Sequence, residues 1–212
     1  MIGSTGSGKS TLINLIPRYY DVTKGSVKVD GVDVRDMTQK ELRDKLGYVP
    51  QKGVLFSGTI DSNIRYGKPE ITDAQVKEAA EVAQATEFID TKPEKYESPV
   101  SQGGTNVSGG QKQRLSIARA IAKDPEIFIF DDSFSALDFK TDSQLRKALK
   151  EYTKDATTVI VAQRISTILG ADQIIVLDDG HMAGIGTHKE LMANCEVYQQ
   201  IARSQLSEEE LA

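Results

Sequence analysis

The sequence predicts an α/β fold: a buried parallel sheet flanked by helices, with a helical insertion and a small antiparallel β edge. Three observations carry this expectation. Continuous apolar runs at 127–130, 159–162 and 174–177 read as short strands buried on both faces. A helical pattern near 140–152 separates the first two, which is the alternation that builds a parallel sheet. Between about 59 and 122 the strand signal vanishes, and Val76, Ala79, Ala80 and Ala83 recur at helical spacing. A helical subdomain over about 58–122 is therefore expected within a single domain covering 1–212.

Local chemistry supports each element. Thr38 with Glu41, Thr72 with Gln75, and Thr187 with Glu190 have the spacing of capping boxes, so helices are expected to begin there. From Ser26 to Val34 polar and apolar residues alternate around Asp30-Gly31, a hairpin signal that supplies the β edge. The tail 207–212, with Glu208, Glu209 and Glu210, reads as a solvated end. A length of 212 residues, 39% hydrophobic and 27% charged, suffices for one domain with a real core.

Composition also excludes. No apolar stretch reaches the roughly 18 residues that span a bilayer. Met1 is followed after one residue by a glycine-rich loop, so no secretory leader is expected and a cytosolic location follows. The balance of 26 basic and 31 acidic residues, net −5, argues against a nucleic-acid partner. Cys195, the single cysteine, lies between Asn194 and Glu196 and is expected as a surface thiol. His181 and His188 have no second ligand at regular spacing, so both are expected at the surface and no metal centre is built on them.

The chemistry begins at the start of the chain. Gly3-Ser4-Thr5-Gly6-Ser7-Gly8-Lys9-Ser10 fits the pattern G-x-x-x-x-G-K-[ST]. In this pattern glycines let backbone amides close around phosphate oxygens, the lysine meets the outer phosphates and the hydroxyl reaches Mg²⁺. Thr11 and Leu12 then open a helix, whose N-terminus favours the anion. Alone, the loop specifies only a nucleotide-binding class. A second constellation narrows it. Ser108-Gly109-Gly110-Gln111 leads into a helix with Leu115, Ala118 and Ala122 on one face, and Ser108 is placed as its N-cap. A serine and two glycines at a helix start make a second phosphate-binding surface.

With these two segments the sequence resembles the ATP-binding cassette (ABC) ATPases from Gly3 to about Gln205, nearly the whole chain. The resemblance implies a P-loop NTPase with a RecA-like core, and ATP and Mg²⁺ as cofactors. Gln51, after Tyr48-Val49-Pro50, matches the glutamine that senses Mg²⁺ and attacking water and couples to transmembrane domains. Asp131 matches the carboxylate that holds Mg²⁺ through water; independently, the C-terminal end of a buried parallel strand is where α/β sheets place ligands. Ser135-Ala136-Leu137-Asp138 matches the loop that contacts the opposite protomer. In this family each ATP lies between one chain's phosphate loop and the other chain's signature, so Ser108, Gly109, Gly110, Gln111 and Asp138 would act in trans. The span from Gln51 to Ser108, and the segments Leu55-Phe56-Ser57-Gly58-Thr59-Ile60 and Gln102-Gly103-Gly104, resemble exporter-type cassettes. Leu55 and Phe56, read as a pair beside a glycine, are expected to form a docking surface for a membrane partner.

Two positions depart from the pattern. The family usually places glutamate, the general base, where this chain has Asp132. One methylene fewer withdraws the carboxylate by roughly 1.5 Å, too far for a proton transfer that needs about 3 Å. The family's switch histidine is replaced by Gln163, which can donate to a phosphate oxygen but carries no charge. Together they resemble the degenerate half of heterodimeric exporters, implying slow hydrolysis at this chain's own loop and a signature that completes a competent partner site. A homodimer using Asp132 as a sluggish base, a non-hydrolysing regulatory module, and an ABC ATPase of DNA repair or translation are the other readings. The implied setting is the cytoplasmic face of a cell membrane, beside transmembrane domains and a second cassette. Only Met1 and Ile2 precede Gly3, whereas strands usually run about 5–6 residues. The chain is therefore expected to be the C-terminal piece of a longer exporter chain, lacking the supporting strand and the adenine-stacking aromatic. Alone it should be unstable and bind ATP weakly.

Overall fold

The computed structural model describes residues 1–207, so the expected solvated tail at 208–212 lies outside the described residues. In chain order the strands are β1 (Ile2–Gly3), β2 (Lys28–Val29), β3 (Val32–Asp33), β4 (Leu46–Val49), β5 (Gly58–Thr59), β6 (Pro99–Val100), β7 (Ile127–Asp131), β8 (Thr157–Val161), β9 (Ile174–Asp178) and β10 (His181–Gly186). The helices are α1 (Lys9–Ile13), α2 (Gln39–Asp44), α3 (Ile60–Ile64), α4 (Asp73–Val82), α5 (Thr86–Asp90), α6 (Gly109–Ala122), α7 (Phe139–Tyr152), α8 (His188–Asn194) and α9 (Glu196–Gln205). The chain divides into two compact units, one of residues 1–42 with 159 onward, the other Arg43–Thr158.

In the first unit a supporting strand is present after all, two residues long, and it runs from Ile2 into the first residue of the phosphate loop, Gly3. Ile2 and Gly3 pair in parallel with Val176 and Leu177 of β9. On the other edge the Met1 ammonium donates to Ile160 O at 2.5 Å, and Ala162 N–H donates to Met1 O at 3.0 Å. Ile2 is buried in a cluster with Ile165, Ile174, Val176, Leu191 and Tyr198. A two-residue strand held on both edges is too short to leave a pattern in sequence. The hairpin expected around Asp30-Gly31 is present: Lys28 pairs with Asp33 and Val29 with Val32. Asp30 (φ 52°) and Gly31 (φ 81°) both take the left-handed conformation that a tight hairpin turn requires.

In the second unit β4 and β7 run parallel, from Leu46 beside Ile127 to Val49 beside Phe130. Phe128, Ile129 and Phe130 are all buried, as a central strand demands. Helix α6 carries much of this core, with Leu115, Ile117, Ala118 and Ile121 fully enclosed. The region 59–122 is mostly helical, but it holds one ladder that the sequence pattern missed, because it is only two residues long: β5 against β6, Gly58 beside Val100. The three expected capping boxes form, with Thr38, Thr72 and Thr187 each exchanging bonds with the residue three positions on. Thr59–Ser62 and Ser108–Gln111 add two more.

Candidate functional site

The phosphate loop leaves β1 and ends at Gly8, the residue that caps α1. Gly6 (φ 82°) and Gly8 (φ 92°) take left-handed conformations that a side chain would strain, so the turn depends on glycine at both positions. Lys9 closes the loop on itself: its Nζ donates to Gly3 O at 2.9 Å, Ser4 O at 2.7 Å and Ser7 Oγ at 3.3 Å. Ser7 is buried beneath it, while Ser4, Thr5, Gly6, Ser10 and Thr11 are exposed. Gly6, Gly8, Lys9, Ser10 and Thr11 line an open recess of about 190 Å³. A Cβ built at Gly6 would meet nothing within 4 Å, so the mouth of the recess is free. An ammonium, exposed hydroxyls and a bare turn form a donor set that fits a polyphosphate with its magnesium. In the same unit Gln163 lies exposed in the turn after β8. That turn is pinned by Gln205 of α9, whose Nε2 donates to Gln163 O at 2.8 Å and whose Oε1 accepts from Ile165 N–H at 2.8 Å.

The second unit gathers the remaining polar residues at the C-terminal end of β7. Asp131 and Asp132 are both buried. Tyr48 OH donates to Asp131 Oδ2 at 3.4 Å. Asp132 turns into the left-handed region at φ 48°, a conformation aspartate tolerates better than most residues. Its Oδ2 accepts from Gln51 Nε2 at 3.1 Å, so this carboxylate and the loop glutamine are held together. Ser133 follows, fully buried, donating to Val49 O at 2.8 Å and fixing the turn to β4. Asp138 caps α7 by accepting from Thr141 N–H at 3.0 Å. Thr141, chiefly through this backbone bond, holds the Asp138 carboxyl below the usual range. Ser108 Oγ accepts from Gln111 N–H at 3.2 Å and Ser108 N–H donates to Gln111 Oε1 at 3.1 Å, leaving Ser108 and Gly109 exposed at the head of α6. A Cβ at Gly110 would lie 3.5 Å from Ala136 O, which puts the head of α6 against the Ala136-Leu137 loop.

The ABC transporter family matches residues 1–135. The chain belongs to this family. It is 50% identical over 208 residues to an uncharacterized ABC transporter ATP-binding protein of Mycobacterium tuberculosis H37Rv, covering 97% of this chain and 35% of that protein. It is 48% identical over 200 residues to a Staphylococcus aureus NCTC 8325 protein provisionally named for multidrug export, an ATP-binding/permease protein, covering 94% of this chain and 35% of that one. The structure of a bacterial Atm1-family ABC exporter with ATP bound superposes with a TM-score of 0.92 at 39% identity, covering 98% of this chain and 36% of that one. The chain thus spans about a third of the length of these relatives. The fold is that of a P-loop NTPase, α/β with a parallel sheet and a helical insertion. Among the described residues no helix is long and apolar enough to cross a membrane.

Several expectations need correction. Cys195 is buried, not a surface thiol; its Sγ lies 3.8 Å from Ala183 O and closes over Gly184, where a Cβ would come within 2.8 Å of the sulfur. Its polar neighbours Asn194 and Glu196 are exposed at the junction of α8 and α9. His188 is half-buried, its Nδ1 2.8 Å from the hydroxyl of fully buried Tyr198, whereas His181 is exposed as expected. Leu55 belongs to the core and packs toward Gly104, so it is not available for the expected paired surface, and of the two only Phe56 is exposed. Phe56 stacks on Tyr66 with ring centroids 4.1 Å apart, and Arg119 lies over both rings. Arg119 also donates to Asn63 O, Asn63 Oδ1 and Val54 O, each at 2.8 Å. Burial pulls this guanidinium down to about 10, with Tyr66 opposing. Sequence reasoning missed Gln113, Arg119 and Gln205, because each acts on backbone distant along the chain.

Proposed function

We propose that this chain is the ATP-binding motor of an ABC exporter, that it binds ATP with Mg²⁺ and hydrolyses it slowly, and that it works beside a second, more competent cassette. The observation that supports ATP binding most directly is the open recess lined by Gly6, Gly8, Lys9, Ser10 and Thr11. Lys9 is the phosphate cation and Ser10 the magnesium hydroxyl; Gly3 to Thr11 form the cradle. Asp131 is the carboxylate assigned to magnesium, and Gln51 the amide assigned to metal and water. When bound, the magnesium nucleotide supplies the phosphoryl group whose transfer to water drives the motor. Ser108, Gly109, Gly110, Gln111 and Asp138 serve a nucleotide held by the partner cassette. In this chain, the segment at about 58–122 is the helical subdomain.

Slow hydrolysis is supported by Asp132. Its carboxylate is short and buried, and it accepts from Gln51 at 3.1 Å, a poor disposition for a base that must reach a water. Gln163 cannot carry the positive charge a histidine would supply. Export, with transmembrane domains and the cytoplasmic membrane face as its setting, is supported by the exporter relatives. The test is Asp132→Glu combined with Gln163→His, assayed for ATPase activity in the assembled complex. A rise of about 10-fold or more is expected from restoring a positioned base. No rise would reject the degenerate reading and leave an ATP-binding cassette without it. Stimulation of a partner's hydrolysis by the intact Ser108–Gln111 segment, lost in Ser108→Arg, separates the motor from a purely regulatory nucleotide module.

A further inference from the structure

We infer that Gln113 is a positioning residue: its buried amide clamps the Gln51 loop to the signature helix, so that the head of α6 and the Gln51–Asp132 pair move as one piece. This inference rests on the assignment of Gln51 and Asp132 above. Gln113 lies in the second turn of α6, five residues after Ser108, and is only 1% exposed. An amide in such a place is costly unless both its ends are paired. They are paired to the two sides of Gln51. Gln113 Nε2 donates to Pro50 O at 3.0 Å, and Gln113 Oε1 accepts from Gly53 N–H at 2.8 Å. One side chain therefore spans the loop, and Gln51 sits between its two anchor points.

Close contact reinforces the clamp. A Cβ on Gly53 would come within 2.8 Å of Lys112 O and 2.9 Å of Ser116 Oγ, so the loop lies directly on the α6 backbone on both sides of Gln113. Further along α6, Arg119 holds the far end of the same loop through Val54 O. The output side is Gln51, whose Nε2 donates to Asp132 Oδ2. A leucine or methionine at 113 would fill the space and serve packing equally well, yet it would leave Pro50 O and Gly53 N–H without these partners. The polar residue buys placement of the loop.

The test is Gln113→Met, close in volume, with Gly53→Ala as an independent way to lift the loop off α6. Hydrogen exchange of the free protein is read first. Exchange in 48–56 should quicken at least roughly tenfold, as expected for losing the two hydrogen bonds to Pro50 O and Gly53 N–H, while 115–122 stays unchanged. Equal acceleration across α6 would overturn the clamp, since that is the signature of a general packing defect; no change in 48–56 would overturn it as well. In the assembled complex kcat should fall about tenfold with KM within about twofold, because loop placement and not nucleotide binding is lost. On a Gln51→Ala background Gln113→Met should have no further effect on kcat, whereas equal losses on both backgrounds would show that Gln113 does not act through Gln51. If the unaltered protein bound no ATP, the ATPase assignment would fall, and with it the inferred role of Gln113 in positioning Gln51; the exchange pattern would then report only on the physical clamp.

Discussion

The two units hold their functional loops by opposite means. In the first, the phosphate loop fixes itself: Lys9 folds back onto Gly3, Ser4 and Ser7, and Ser4, Thr5, Gly6, Ser10 and Thr11 are exposed. In the second, a helix from elsewhere in the sequence does the holding. Gln113 and Arg119 of α6 reach across about 60 residues of sequence to grip Pro50, Gly53 and Val54. A self-closed loop can be rebuilt around a ligand at little cost to the fold, while a loop tied to a buried helix shares that helix's stability. The difference predicts that substitutions in the two regions separate binding from folding.

The largest effect should come from Arg119→Ala. It removes two partly buried hydrogen bonds to Asn63, an exposed one to Val54 O, and the cation over Phe56 and Tyr66. A loss of about 3 kcal/mol is expected, read from the urea midpoint of unfolding. Arg119→Lys should recover less than half of it, because an ammonium cannot reproduce the forked contacts. Recovery in full would mean that the charge alone matters and that the loop is not held by α6 in the way described. Lys9→Ala should behave in the opposite sense. Affinity for a fluorescent ATP analogue should fall about 100-fold, as for a lost charge-assisted contact to phosphate. The urea midpoint should move by less than the equivalent of about 1 kcal/mol, since all three bonds Lys9 makes stay within its own loop, no more than six residues away, and tie no other element down. A large stability loss in Lys9→Ala would erase the contrast between the two regions.

What was legible in the sequence was local. The phosphate loop, the Ser108–Gln111 box and the three threonine boxes are each written within a few residues, and all of them form. Asp131 and Asp132 could be placed because an apolar strand runs directly into them. What stayed hidden depends on residues far apart. Gln113 looks like any polar position on an amphipathic helix; only the neighbour 60 residues away makes it a buried clamp. Cys195 has two polar neighbours, yet it falls at the corner between α8 and α9 where the chain turns its side chain under Gly184. Leu55 and Phe56 are alike in sequence, but the chain turns the first into the core and leaves the second on the surface. Alternation of that kind cannot be read from two residues in a loop without a period.

The smallest effect concerns a buried phenol in the first unit. Tyr198 is fully enclosed, and burial pushes its pKa from the ordinary 10 up to about 12. Between these values the unfolded chain releases a proton that the folded chain retains. The folded state therefore binds more protons in that window, and its stability must fall as pH rises from 10 to 12. Below pH 10 both states keep the proton and the phenol contributes no slope. By pH 11 the loss should approach about 1 kcal/mol relative to pH 9. Tyr96 and Tyr152 are also raised by burial and add to the total slope, so the measurement is a difference. Urea midpoints of the unaltered protein and Tyr198→Phe, compared from pH 8 to 11, should converge as the alkaline limit is approached. At pH 8 the variant should be the less stable of the two, since it lacks the 2.8 Å contact with His188. Parallel curves would mean that Tyr198 reaches water readily, and that the core beneath β9 and α9 opens far more easily than its packing implies.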